Sequence, residues 1–184
     1  MTRVRRQNFF NTVGACLKFT LFWLLVAIQL PILVFLPRGA TSVKYMRFFM
    51  RILLYVVGIR VRVHGELSNH RPLLVISNHI SIFEIATFPV AFGGSFIAKQ
   101  EMESWPLVGW VARKFGVVFI DRRPSHAMDA LARVQQTVAN VSYPVFLFPE
   151  GTTTNGAYVK PFKSTLFNFI ENSNVVVQPM VMNY

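Results

Sequence analysis

The run Asn78-His79-Ile80-Ser81-Ile82-Phe83-Glu84 places an imidazole and a carboxylate five residues apart, where an apolar stretch gives way to a helical pattern. Histidine is the side chain suited to general-base work near neutral pH. A carboxylate against its far nitrogen fixes one tautomer and stabilises the imidazolium formed during reaction. Five residues exceed the i, i+4 stacking distance of a helix, so Glu84 reaches His79 only if the histidine sits in the turn before the helix. An Asn-His pair at a turn also serves as a structural cap, and the spacing alone leaves both readings open. A second group, Phe148-Pro149-Glu150-Gly151-Thr152-Thr153-Thr154-Asn155-Gly156, delivers a carboxylate at the end of an apolar strand, where ligands of α/β folds bind. Gly151 permits a tight backbone approach, and the hydroxyls with Asn155-Gly156 make a donor-rich turn. Lys160 and Lys163 follow as two cations. A polar surface turn would have the same composition. In a third group, Gly116 to Pro124, Arg122 and Arg123 stand where a strand stops; guanidinium forks suit phosphate, and paired arginines are also common as solvated surface.

Those groups need elements to hold them. After Gly58 short β-rich runs alternate with helical stretches. The strands expected are Arg60 to His64, Leu73 to Ser77, Ser95 to Ala98, Val117 to Asp121, Val145 to Phe148 and Val175 to Val181. The helices expected are Ser81 to Phe92, Pro106 to Phe115, Ser125 to Val141 and Phe162 to Asn172. This alternation predicts an α/β fold, a mixed sheet flanked by helices. The stripe Trp105, Leu107, Trp110 and Val111 reads most simply as core or membrane-facing packing, with an acyl-chain wall as the second reading.

The N-terminal third is different in kind. Net charge is +11, and residues 1–65 hold ten basic residues and no acid, so they contribute +10 and the remainder +1. These cations are interleaved with Phe, Leu, Ile and Val. A nucleic-acid arm would be polar as well as basic, whereas this composition suits an anionic bilayer and no nucleic-acid partner is expected. Phe19 to Pro37 carries no charge; 19 helical residues reach about 28 Å against a hydrocarbon core of about 30 Å. A cleaved signal peptide would have a shorter apolar region and an A-x-A-like site, but this run ends in Leu36-Pro37-Arg38. In the next segment Lys44, Arg47 and Arg51 share one helical face, as an interfacial helix would. The reading is a helical hairpin in one leaflet, or one span plus an interfacial helix, over residues 1–58, followed by a single α/β domain over 59–184.

Other chemistries are disfavoured. The sequence has no G-x-S-x-G elbow, Walker A loop, G-x-G-x-x-G, H-E-x-x-H or Cys/His cluster. A single cysteine, Cys16, removes disulfide frameworks and suits a reducing compartment. With 53% hydrophobic residues, 15% charged and mean hydropathy +0.41, disorder and coiled coil are excluded.

Taken in order from Asn78 to Met182, Asn78-His79 with Glu84, Gly116 to Arg122, Phe148 to Thr152 and the late strand Val175-Val176-Val177-Gln178-Pro179 resemble the signatures of the 1-acylglycerol-3-phosphate acyltransferase family. The resemblance implies an O-acyltransferase of phospholipid biosynthesis that makes phosphatidate from lysophosphatidate, with acyl-CoA or acyl carrier protein as co-substrate and no metal or cofactor. It implies His79 as general base with Glu84 as its catalytic partner, and Asn78, Arg122, Glu150, Gly151, Thr152 and Lys163 as substrate-binding residues. It also places the chain at a membrane, at the cytoplasmic face of a bacterial inner membrane, with membrane lipids as partners. Three positions depart from the family pattern: Glu84 replaces the usual aspartate, Thr153 stands where many members carry arginine, and Phe162-Lys163-Ser164-Thr165 replaces F-K-x-G. The threonine-rich turn looks closer to members that acylate lyso-ornithine lipid. Glu84 also keeps open a catalytically silent, membrane-binding version of the scaffold. The chain stops just after the last motif strand, so the expectation is either a fragment or a chain without the distal lid.

Overall fold

The computed structural model describes residues 2–121, 127–162, 167, 170 and 173–184, with the backbone alone for 2–11 and 127–131. Five strands form one sheet: β1 (Leu73–Ser77), β2 (Ser95–Lys99), β3 (Val118–Ile120), β4 (Val145–Leu147) and β5 (Val176–Met180), in the order β3-β2-β4-β1-β5. Helices α3 (Glu84–Phe92), α4 (Val108–Lys114) and α5 (Ala127–Asn140) connect β1 to β2, β2 to β3 and β3 to β4. The sheet expected to be mixed is parallel at every described pairing, with Leu74 opposite both Val145 and Val177 and Ile97 opposite Val118. The reason is in the connections: a helical crossover returns the chain to the edge it left, so each new strand runs the same way.

A parallel sheet is covered on both faces, which explains why its strands read as continuous apolar runs. Alternate residues sort to opposite sides. Leu74, Ile97, Val118, Val145 and Leu147 pack with Val134 and Val138 of α5, while Leu73, Val75, Phe96, Phe146 and Phe148 pack with Phe88 of α3.

Two helices precede the sheet, α1 (Thr2–Phe35) and α2 (Ala40–Val57). From Thr12 to Phe35, α1 is long and apolar enough to cross a membrane, with mean hydropathy 2.1. Its carboxyl end is tied to the body of the protein. Lys114 donates to the carbonyls of Val34 (3.1 Å) and Leu36 (2.7 Å), a cation on the orphan carbonyls of a helix end. Leu33 packs there with Met46 and Phe115. Helix α2 is not only a surface element: Val43, Met46, Phe49, Leu53 and Leu54 are buried, and the helix lies against α3. Arg47, expected on a membrane-facing stripe, donates to the carbonyls of Val90 and Ala91 at the end of α3 (3.1 and 3.0 Å). Gly58 ends α2 at φ 91° and donates to the Leu54 carbonyl at 2.9 Å, the left-handed stop that glycine permits.

Two expectations about elements are corrected. Arg60 to His64 forms no strand; the alternation of arginine and valine has the right period, but Arg60, Arg62, Val63 and His64 are exposed and, among the described residues, no strand pairs with them. The helix expected from Ser81 begins at Glu84, because the Glu84 carboxylate accepts from the Ile80 and Ser81 backbone N–H groups at 3.2 and 2.9 Å and holds 79–83 as a turn. A 3₁₀ turn over Gln100–Ser104 follows β2. The helix expected over Phe162 to Asn172 lies largely outside the described residues.

Candidate active site

In a parallel sheet every strand presents its carboxyl end at one edge. Neighbouring β1 and β4 therefore bring the turn at His79 and the turn at Glu150 together, although 71 residues separate them. His79 Nδ1 meets Glu84 Oε2 in a short contact. Glu84 is fully buried, while the His79 side chain keeps 19% of its surface exposed. A carboxylate only accepts hydrogen bonds, so in the neutral imidazole this pairing puts the proton on Nδ1 and leaves Nε2, unpartnered among the described residues, as the acceptor. Five residues suffice because His79 precedes the helix and Glu84 opens it.

The histidine is held from every side. Its backbone N–H donates to Glu150 Oε1 at 2.8 Å, and its carbonyl accepts from the Thr154 N–H at 2.8 Å. The Phe148 ring stacks on the imidazole, with centroids 4.4 Å apart and planes 16° apart. Glu150 is 4% exposed, and its second oxygen accepts from the Lys160 N–H at 2.9 Å. Its two oxygens are thus engaged by backbone donors that staple residues 150–160 to the turn at His79. Replacing Glu150 by alanine leaves two N–H groups without their acceptor, at about 1–3 kcal/mol each. A thermal melt should show Glu150→Ala as strongly destabilised and Glu150→Gln, which keeps one acceptor oxygen, as intermediate. Equal melting temperatures for all three forms would remove Glu150 from this role.

The other expected residues divide. Asn78 closes a two-way clip to the segment after β5, donating to the Met182 carbonyl at 3.0 Å and accepting from the Met182 N–H at 2.7 Å. Gly151 takes φ 73° and donates to the Phe148 carbonyl at 3.0 Å, a turn that other residues enter only with strain. Thr152 is exposed beside it. Arg122 and Lys163, expected to bind substrate, lie outside the described residues. Sequence reasoning named Thr154 for its hydroxyl and Lys160 for its charge, but here both engage through backbone N–H groups, as does Met182, and such contacts leave no residue-type signal. It missed Tyr184, near Ser81, Thr87 and Glu84. Burial pushes the Tyr184 phenol above the usual tyrosine range; the Glu84 charge pushes it the same way, while the Ser81 and Thr87 hydroxyls pull it back. Among the described residues, no group of three or more His, Cys, Asp or Glu is placed to hold a metal ion.

Three comparisons bear on this geometry. Residues 60–183 match the family model described as Acyltransferase. A lyso-ornithine lipid O-acyltransferase of Rhodobacter capsulatus is 35% identical over 138 residues, covering 73% of this chain and 49% of that protein. The 1-acyl-sn-glycerol-3-phosphate acyltransferase alpha of Homo sapiens is 31% identical over 167 residues, covering 86% of this chain and 58% of that protein. The chain thus spans about half the length of the curated relatives it matches. The crystal structure of the 1-acyl-sn-glycerophosphate acyltransferase PlsC from Thermotoga maritima superposes with TM-score 0.67 at 22% identity, over 90% of this chain and 73% of that one, and so shares the fold.

Proposed function

From the premise that the chain belongs to the acyltransferase family, we propose that it transfers a fatty acyl group from a thioester, acyl-CoA or acyl carrier protein, to the free hydroxyl of a lysolipid. The observation that carries this reading is the His79–Glu84 pair, a fully buried carboxylate fixing an imidazole whose other nitrogen is free. His79 Nε2 takes the hydroxyl proton as the oxygen attacks the thioester carbonyl carbon. The tetrahedral adduct collapses, the C–S bond breaks, and the sulfur leaves with the proton returned by the imidazolium. Glu84 offsets the transient positive charge and holds the ring. Its test separates charge from length: Glu84→Gln should impair turnover, whereas Glu84→Asp should retain or improve it. Both variants matching the parent would exclude the partnership.

In this reading residues 1–58 anchor the protein to the cytoplasmic face of a membrane and 59–184 carry the chemistry. Asn78, Glu150 and Gly151 serve the acceptor site by shaping it. Arg122, Thr152 and Lys163 contact the acceptor. The first acceptor is lysophosphatidate, giving phosphatidate; Arg122→Ala should then raise the Michaelis constant for lysophosphatidate and leave that of the thioester nearly unchanged. The exposed Thr152-Thr153 pair, without the arginine many family members carry there, favours lyso-ornithine lipid as a second reading, in keeping with the relative from Rhodobacter capsulatus. Offering both lysolipids at equal concentration decides between them: exclusive acylation of the ornithine lipid overturns the first choice.

A further inference from the structure

The loop between β2 and α4 is built to display apolar side chains. Leu107 has φ 64° and ψ −50°, and the Val108 N–H reaches the Pro106 carbonyl across it at 2.7 Å. This is the positive-φ form of the γ-turn, rare and strained, and such conformations persist only where the surroundings enforce them. Here they do. Gly109 lies so close to the 3₁₀ turn that a Cβ on it would fall 2.0 Å from the Glu103 carbonyl oxygen. The Gly109 N–H donates to the Trp105 carbonyl at 3.0 Å, and Arg113 pairs with Glu103 at 3.4 Å. The result is a rigid knob from which Trp105, Leu107 and Val108 project, 54, 51 and 43% exposed.

The position of the knob says what it meets. It leaves the sheet at the carboxyl edge, the edge that holds His79, where Ile82, Phe83 and Tyr158 are exposed as well. At the opposite edge the turns 68–72, 93–94 and 141–144 expose Asn69, His70, Arg71 and Ser142 and, among the described residues, no large apolar side chain, and Val176 at the start of β5 is 38% exposed. At the far end of α4, about 10 Å away by helical rise, Lys114 is bonded to the end of α1, the helix apolar enough to cross a bilayer. The knob thus stands about 10 Å along α4 from the residue that holds the end of α1.

We propose that Trp105, Leu107 and Val108 form a second membrane contact, entering the leaflet beside α1 and turning the His79 edge of the sheet toward the lipid. A helix alone leaves the protein free to rotate about its axis, and a second apolar contact removes that freedom. Glu101 and Glu103 flank the knob, so its attraction is apolar rather than electrostatic, with tryptophan at the depth it favours in membrane interfaces.

The test uses the full chain with Trp105 as sole tryptophan (Trp23→Phe, Trp110→Phe) on phosphatidylethanolamine/phosphatidylglycerol vesicles containing brominated lipid. Trp105 emission should shift to the blue and be quenched, equally at low salt and at about 1 M, where the Debye length is about 3 Å. Leu107→Gly relieves the positive φ, so the fold survives, and the quenching should fall by about twofold with the lost apolar contact. Should Trp110→Phe disturb the fold, the difference between the parent and Trp105→Phe reports the same quenching. Unquenched Trp105, on vesicles where a chain retaining only Trp23 is quenched, overturns the proposal. A blue shift without quenching overturns it too, since the knob is then covered by a second copy or another protein. Quenching is read without turnover and stands or falls separately from the proposed acyl transfer.

Discussion

His79→Ala is expected to lower turnover by about 10² to 10⁴ fold, the range general-base catalysis contributes. The imidazole is stacked on Phe148 and paired with Glu84, but the fixings of the turn belong to the backbone: the N–H to Glu150, the carbonyl to Thr154. Alanine keeps all of those backbone bonds, and Glu84 keeps its two N–H donors at Ile80 and Ser81. The loss should therefore fall on chemistry far more than on folding. The measurement is thiol release from an acyl thioester in the presence of lysolipid, alongside a thermal melt. Retention of more than about a tenth of the parent's activity by the folded variant would sink the mechanism.

A chain begun at Gly65 should lose its fold, whereas one begun at Gly39 should keep it and lose only the long apolar helix. Removing α2 removes five buried side chains, Val43, Met46, Phe49, Leu53 and Leu54. Each is worth about 1.5–3 kcal/mol when buried, and the sum is comparable with the whole stability of a domain, about 5–15 kcal/mol. Circular dichroism melts distinguish the two chains, and vesicle sedimentation shows whether the Gly39 chain has left the membrane. A Gly65 chain that melts with the parent would mean that the packing of α2 on α3 contributes nothing.

The sequence by itself determined the α/β alternation, all five strands of the sheet to within a residue at each end, and the apolar helix, because the period of apolar residues and the chemistry of turns are local properties. It left the His79–Glu84 pairing open, since a five-residue separation closes only across a turn that precedes a helix, and the fold supplies that turn. Tertiary structure decided the rest. The Arg60 to His64 alternation satisfies a strand's period, but a strand exists only where a neighbour takes its hydrogen bonds, and among the described residues none does. The face of α2 turned inward because α3 was there to cover it, and Arg47 found helix-end carbonyls rather than lipid. Asn78 and Glu150, whose side chains look made for a ligand, are spent on the backbone of Met182, His79 and Lys160. Every residue but proline offers the same N–H and every residue the same C=O, so those partners leave no trace in residue type and exist only once the strands have brought distant turns to one edge.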